Sequence, residues 1–295
     1  MPRLRIRHET RYQYERPVSF GQHRMLMRPR DGHSLRLIDA SLELSPPGAT
    51  RWTYDALGNC VCWYQPMGEA TSLKIVSQLT LERYPAALAP VDDPHSTFPV
   101  IYDQADRINL APFTMPVADD PDSVLLTWVR SLIGPPAEPV LTFVERMNSA
   151  IHDEMIYGER GEAGVQTPAQ TLRTRRGSCR DFAWLMVEGV RSLGFAARFV
   201  TGYLYDPKLE HGGVRGAHAT HAWCEVFLPA WGWTEFDPTN GLAESAHLIP
   251  VAMARTPNEA APVSGTLIGD AGKRELHVDV DVRLIDPNEA PAQAA

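Results

Sequence analysis

Residues 4–14 alternate strictly. Leu4, Ile6, His8, Thr10, Tyr12 and Tyr14 hold the even positions, while Arg5, Arg7, Glu9, Arg11 and Gln13 hold the odd ones. A side-chain period of two is that of a strand with one wet face. The alternation returns at Leu73, Ile75, Leu79 and Leu81. Between these stretches, residues 52–63 read as a hairpin turning at Gly58-Asn59, which sets Cys60 and Cys62 on one face of a strand. Several short strands separated by turn residues predict a small antiparallel β-sandwich over residues 1–85. Composition then shifts to Pro, Asp and Ala with weak periodicity, which predicts a connecting segment laid on the surface over residues 86–120.

Further along, the period becomes helical. Val124, Leu125, Trp128, Val129 and Leu132 form one apolar stripe, stopped by Gly134-Pro135-Pro136. Val140, Phe143, Val144, Met147, Ile151 and Met155 form a second, stopped at Gly158. Thr167-Pro168-Ala169-Gln170 has the form of a capping box with proline at the first helical position, opening a short helix that Gly177 ends. The next helix starts at or just after Cys179, buries Phe182, Leu185, Met186, Val190 and Leu193, and stops at Gly194. Strands are predicted at 199–205, 220–227 and 233–237, with one more where Leu276, Val278, Val280, Val282 and Leu284 alternate with polar residues. The fold class is therefore α+β: a β domain, a mixed core over residues 121–286 that includes this last strand, and a frayed tail over 287–295 rich in Ala, Pro and Gln.

Composition narrows the setting. With 295 residues, 44% of them hydrophobic and 22% charged, the chain has the make-up of a soluble globular protein with a sizeable core. A formal charge of −8 argues against nucleic acid as the main partner. No apolar stretch approaches the length of a membrane span, and residues 1–9 lack the apolar run of a signal peptide, so the expected location is the cytoplasm. Four cysteines are too few for a disulfide scaffold, and a single C-x-C is poor evidence for zinc, so Cys60 and Cys62 are expected as small apolar residues packed in a sheet. The ten histidines show no metal-binding spacing, and no cofactor is predicted.

Against that background Cys179 stands out, in Arg176-Gly177-Ser178-Cys179-Arg180-Asp181-Phe182, where a loop becomes a buried helix. Unpaired N–H groups and the positive dipole end at a helix start favour a thiolate, and the same loop can aim an N–H at a developing oxyanion. Downstream lie His221 and Asp237, on strands joined by Leu228-Pro229-Ala230-Trp231-Gly232. A turn centred near Pro229 sets position 221 directly opposite 237 with both side chains on one face. There the carboxylate can take one imidazole N–H and leave the other nitrogen for the thiol. Cys179 as nucleophile, His221 as base and Asp237 as orienter are the predicted catalytic residues. Cys224 falls on the opposite face and is expected in the core, while His211 and His218, in a Gly-rich loop, are expected as exposed bystanders.

At these residues the chain resembles the transglutaminase-like core of bacterial proteins. Residues 167–203, with Gly177-Ser178-Cys179-Arg180-Asp181-Phe182-Ala183 and Gly194-Phe195-Ala196-Ala197-Arg198-Phe199, carry the likeness. So do His221-Ala222-Trp223-Cys224-Glu225 and Asp237-Pro238-Thr239-Asn240. The stretch from Ile6-Arg7-His8-Glu9 to Met27-Arg28-Pro29-Arg30 looks like the β-rich domain that precedes this core in bacterial members. The resemblance implies a papain-like α+β core with Cys179, His221 and Asp237 as its triad, acting on a peptide or protein substrate. Relatives that crosslink proteins often use calcium, but Asp119-Asp120-Pro121-Asp122 lacks the spacing of a ligand loop, and no metal is expected. Residues 255–260 depart from the usual bacterial sequence, which bears on substrate contacts. The expected activity is hydrolysis of a peptide or amide; the alternatives are protein-glutamine transamidation and, in a different class, a non-catalytic binding module on the same fold. The N-terminal domain is expected to serve a protein partner or self-association.

Overall fold

The computed structural model describes residues 3–84, 88, 96–158, 160–161, 164–205 and 220–286. The opening alternation belongs to an unexpectedly long strand: β1 (Arg3–Arg28) runs for 26 residues, with the even positions of its first half turned to the core. It is followed by β2 (Leu35–Ser45), β3 (Gly48–Tyr54), β4 (Cys60–Pro66) and β5 (Glu69–Arg83), in the sheet order β2-β5-β1-β4-β3. One strand serves both halves of the domain: its ladder with β5 is interrupted between Gln13 and Val18 and resumes at Val18 and Ser19, and from His23 onward it pairs with β4. The β3–β4 hairpin turns through residues 55–59. Asp55 accepts the N–H groups of Leu57 and Asn59 at 3.0 and 2.8 Å, and Gly58 supplies the positive φ of 79°.

The segment expected as a surface connection holds a helix, α1 (Gln104–Thr114), capped by Asp103, whose carboxylate accepts the Asp106 N–H at 2.8 Å. Its interior Pro112 and its small apolar stripe (Leu110 and Phe113 are the buried positions) hide it from a periodicity argument. Then come α2 (Val124–Ser131), α3 (Val140–Glu154), β6 (Ile156–Tyr157), α4 (Pro168–Thr174), β7 (Arg176–Gly177) and α5 (Cys179–Arg191). The Thr167–Gln170 capping box is present, and α4 ends with Arg175 at φ 51° rather than at Gly177, which pairs in β7 with Tyr157.

Behind α5 lies an antiparallel sheet of β8 (Ala197–Leu204), β9 (His221–Leu228), β10 (Gly232–Asp237), β11 (Leu242–Ala243) and β12 (Leu248–Ala254), in the order β11-β10-β9-β8-β12. Phe182, Leu185, Met186 and Val190 of α5 are fully buried between this sheet and α3. Each such side chain contributes roughly 1.5–3 kcal/mol by leaving water, which fixes the first turn of α5 against the strands.

The last two strands, β13 (Val263–Ile268) and β14 (Arg274–Ile285), correct the expected boundary. Both pair with β1, and β14 does so continuously from Arg3↔Ile285 to Tyr14↔Arg274. The C-terminal strand therefore completes the N-terminal sheet rather than the core. Alternation marks a strand but does not name its neighbour.

The β domain and the core share an apolar junction in which Leu4, Ile6, Leu79 and Leu81 meet Tyr203, Ile249 and Val251. Polar ties reinforce it. Asn59 bonds to both backbone groups of Met253, at 2.7 and 2.9 Å, as a strand neighbour would. Buried Arg83 donates to the carbonyls of Leu248 and Ser34 at 2.7 and 3.0 Å and to the carboxylate of Glu235.

Candidate active site

Cys179 occupies the first turn of α5, and the carboxylate of Asp181 anchors that turn. Asp181 is wholly buried and accepts from four donors: Ser178 N (2.8 Å), Ser178 Oγ (2.9 Å), Arg160 Nη1 (2.6 Å) and Gln166 N (2.7 Å). It ties residues 160 and 166 of the preceding loop to the helix start. A burial this deep is sustainable for a carboxylate only because every oxygen is paired. Gly177 is required here, since a Cβ would fall 2.8 Å from that of Asp181 and 3.0 Å from the Phe182 ring.

His221 begins β9 and Asp237 ends β10. Their ladder runs from Gly232↔Leu228 to Phe236↔Cys224, a register two residues from the one expected. Continued one step, it sets Asp237 beside Trp223, so the pair is diagonal rather than directly opposed. Because the slip is an even number, the two side chains still share a face, and His221 Nε2 lies 2.8 Å from Asp237 Oδ2. Asp237 also accepts from Asn240 Nδ2 at 2.8 Å and Thr239 N at 2.9 Å. Trp223 stacks beside the imidazole, with centroids 5.9 Å apart and planes at 28°.

The electrostatics follow from these contacts. Burial works against a charged imidazole, but the Asp237 carboxylate overrides it and, with a smaller contribution from Cys179, raises the His221 pKa. Burial likewise works against the Asp237 carboxylate, yet the imidazole, Asn240 and the Thr239 N–H hold it below its ordinary range. Among the described residues the second ring nitrogen, His221 Nδ1, is buried and has no hydrogen-bond partner, so it can serve the sulfur or a substrate.

Cys179 and His221 line one cavity of about 610 Å³. Its apolar walls are Tyr157, Val165, Phe199, Pro257, Pro262 and Val278, the last from β14 of the N-terminal sheet. The other cysteines sit elsewhere. Burial raises the thiol of Cys224 far above its usual value, in the core, and pushes Cys62 up to about 11; Cys60 is also raised. All four are free thiols. His211 and His218 lie outside the described residues. Among the described residues no three His, Cys, Asp or Glu side chains are grouped to hold a metal ion, and no helix is long and apolar enough to cross a membrane. Of the acids at 119–122, Asp120 accepts the Leu126 N–H at 3.0 Å, and Asp122 pairs with Arg173.

Sequence reasoning brought no role for Asp181, Arg160, Trp223 or Asn240. Asp181 was findable, because serine before a helix with an acid three residues on is a capping signal. Asn240 follows Asp237 in a turn, where Asx side chains commonly fold back.

Comparisons with known proteins bear on the family and the fold. The model of the bacterial transglutaminase-like N-terminal region matches residues 4–82, and that of the transglutaminase-like superfamily matches residues 127–238. An uncharacterized protein of Mycobacterium tuberculosis is 27% identical over 297 residues, covering 95% of this chain and 92% of its own. One from Mycobacterium leprae is 26% identical, covering 96% of this chain and 99% of its own. Among solved structures, a proposed cysteine protease from Cytophaga hutchinsonii superposes with a TM-score of 0.75 at 21% identity, covering 100% of this chain and 94% of that one, which establishes a shared fold. The chain belongs to the transglutaminase-like superfamily, with the bacterial transglutaminase-like N-terminal region ahead of its core.

Proposed function

We propose that the chain is a thiol-dependent acyl-transfer enzyme that hydrolyses a peptide or amide bond. The observation that carries this reading is a buried imidazole, bonded to a buried carboxylate at 2.8 Å, facing the same cavity as a helix-start cysteine. Cys179 acts as the nucleophile, His221 as acid and base, and Asp237 as the group that orients and charges the ring.

In the first half-reaction the Cys179 thiolate attacks the carbonyl carbon. The oxyanion forms beside the unpaired N–H groups of the first turn of α5. Protonated His221 gives its proton to the leaving nitrogen as the C–N bond breaks, leaving a thioester on Cys179 and a free amine. In the second, His221 takes a proton from water, hydroxide adds to the thioester, and the carboxylic acid departs as the C–S bond breaks. Water is the default acceptor at this concentration unless a dry amine site competes with it.

The test combines the full-length protein with casein and a dansylated primary amine, reading ammonia release, peptide cleavage and dansyl incorporation, with Cys179→Ala as control. Hydrolysis or deamidation that depends on Cys179 and outpaces incorporation supports the reading. Efficient incorporation shifts it to transamidation. Equal behaviour of Cys179→Ala in all three readouts, together with iodoacetamide labelling Cys179 no faster than Cys224, would leave a binding module.

A further inference from the structure

A second concavity lies in the β domain, sharing no lining residue with the Cys179 cleft. It consists of two adjoining cavities of about 710 and 230 Å³ that have Arg28 and Trp52 in common, so together they form one elongated groove. Its walls come from β2, through Leu37 and Leu42, and from β3, through Trp52 and Tyr54; Met27 and Leu79 form the floor. β2 and β3 are the two ends of the path β2-β5-β1-β4-β3, so each presents an outer edge that no strand covers among the described residues. Unpaired strand edges on both sides of an apolar trough are the setting in which an extended chain adds to a sheet.

The groove has a charge signature. Arg28 lies over the Trp52 ring with its guanidinium carbon 5.8 Å from the centroid, and Arg30 lies over Tyr54 at 6.0 Å. Neither guanidinium meets a carboxylate among the described residues, although most other arginines of the sheet do, Arg3, Arg7, Arg11 and Arg24 included. The one acid in the lining, Asp31, accepts the Leu37 N–H and keeps its charge. Trp52 is 43% and Tyr54 71% exposed. Two ring-braced cations that form no ion pair among the described residues, with Asp31 the one acid beside them on a chain of net charge −8, form a receptor for further carboxylates.

We propose that this groove docks an extended, acidic polypeptide segment, whose backbone pairs with an edge strand while its carboxylates meet Arg28 and Arg30 and its apolar side chains cover Trp52. The hairpin that carries Trp52 and Tyr54 is fixed to the core by Asn59 on β12. A segment held there is therefore tethered at a set distance from the Cys179 cleft, raising the local concentration of whatever it is joined to. The inference stands on the groove alone and does not depend on the chemistry at Cys179.

The test is fluorescence anisotropy on the full-length protein with a fluorescein-labelled twelve-residue peptide of alternating glutamate and valine. The same peptide with lysine for glutamate serves as control. The glutamate peptide should bind, more weakly as salt rises, and the lysine peptide should not. R28E/R30E should abolish binding and Trp52→Ala weaken it roughly tenfold, with circular dichroism and unfolding midpoint showing that both variants fold. Cys179→Ala should bind as wild type. Equal binding of the two peptides, or binding untouched by R28E/R30E in the folded variant, overturns the proposal. A stable dimer that R28E/R30E dissociates would also overturn it, by giving the groove to a second copy of the chain.

Discussion

The cleft and the domain junction each bury a histidine, and they leave it in opposite states. His221 in the cleft and His8 at the junction are both 1% exposed. His8 has hydroxyl neighbours, Tyr203 Oη and Thr10 Oγ1, each 3.0 Å from a ring nitrogen, and burial pushes its pKa down to about 4. His221 suffers the same burial, but Asp237 lies 2.8 Å away and the pKa goes up instead, to about 10. Depth does not decide whether a buried ring is charged; the partner does. The junction uses its imidazole as a neutral strut between β1 and β8. The cleft holds a ring ready to carry a proton beside a thiol.

Removing that partner gives the largest expected effect. Asp237→Asn keeps the size of the side chain but not its charge, so His221 should fall toward the behaviour of His8. Turnover of an amide substrate should drop by on the order of 10³-fold or more. The His221 ring proton followed by NMR titration should move from alkaline to acid pH. A variant that keeps wild-type turnover, or an unmoved titration, would break the comparison at its root.

The junction has its own buried ion pair, and it should behave as a scaffold. Arg83→Met strips Glu235 of its cation and leaves the Leu248 and Ser34 carbonyls without a donor. Burial already raises the Glu235 carboxyl to about 8, with Arg83 pulling it down. A raised carboxyl contributes stability at low pH and loses it as pH climbs through the folded value. The variant should therefore lose roughly 3–5 kcal/mol at pH 9, where the carboxylate would be charged and unpaired. It should lose less at pH 7, where the loss comes mainly from the two carbonyls left without a donor. Urea unfolding at the two pH values measures this, while turnover per folded molecule stays near wild type. Lost turnover in fully folded protein would show that the junction reaches into the chemistry.

The contrast also explains what was legible in advance. Strand faces were readable from a period of two, and parity protected the His221–Asp237 pairing even though the register differed by two residues. The first turn of α5 was readable because Cys179 immediately precedes a dense apolar stripe. What stayed hidden depends on contacts distant in sequence. Nothing in the alternation of residues 276–284 says that they lie along β1, across the molecule. Beyond its capping contact with Ser178, nothing local marks Asp181 as the meeting point of Arg160 and Gln166, or His8 as facing Tyr203. Helix α1 was masked by its own Pro112.

The smallest effect separates the two histidines by pH alone. A group whose pKa is depressed on folding, as His8 is, contributes stability fully above its unfolded value of 6.5 and loses it as pH falls toward about 4. A group whose pKa is raised, as for His221, contributes fully below 6.5 and loses that contribution as pH rises toward about 10. The acid limb of the stability curve thus carries the contribution of His8, beside that of Asp237, and the alkaline limb that of His221, beside that of Glu235. His8→Gln offers Tyr203 and Thr10 a donor and an acceptor but cannot titrate. Its stability should match wild type within about 1 kcal/mol at pH 7 and exceed it by about 2–3 kcal/mol at pH 4.5. The alkaline limb should be unchanged. Urea midpoints at pH 7, 5.5 and 4.5 for the two proteins decide it, and parallel acid limbs would show that His8 enters the fold already charged.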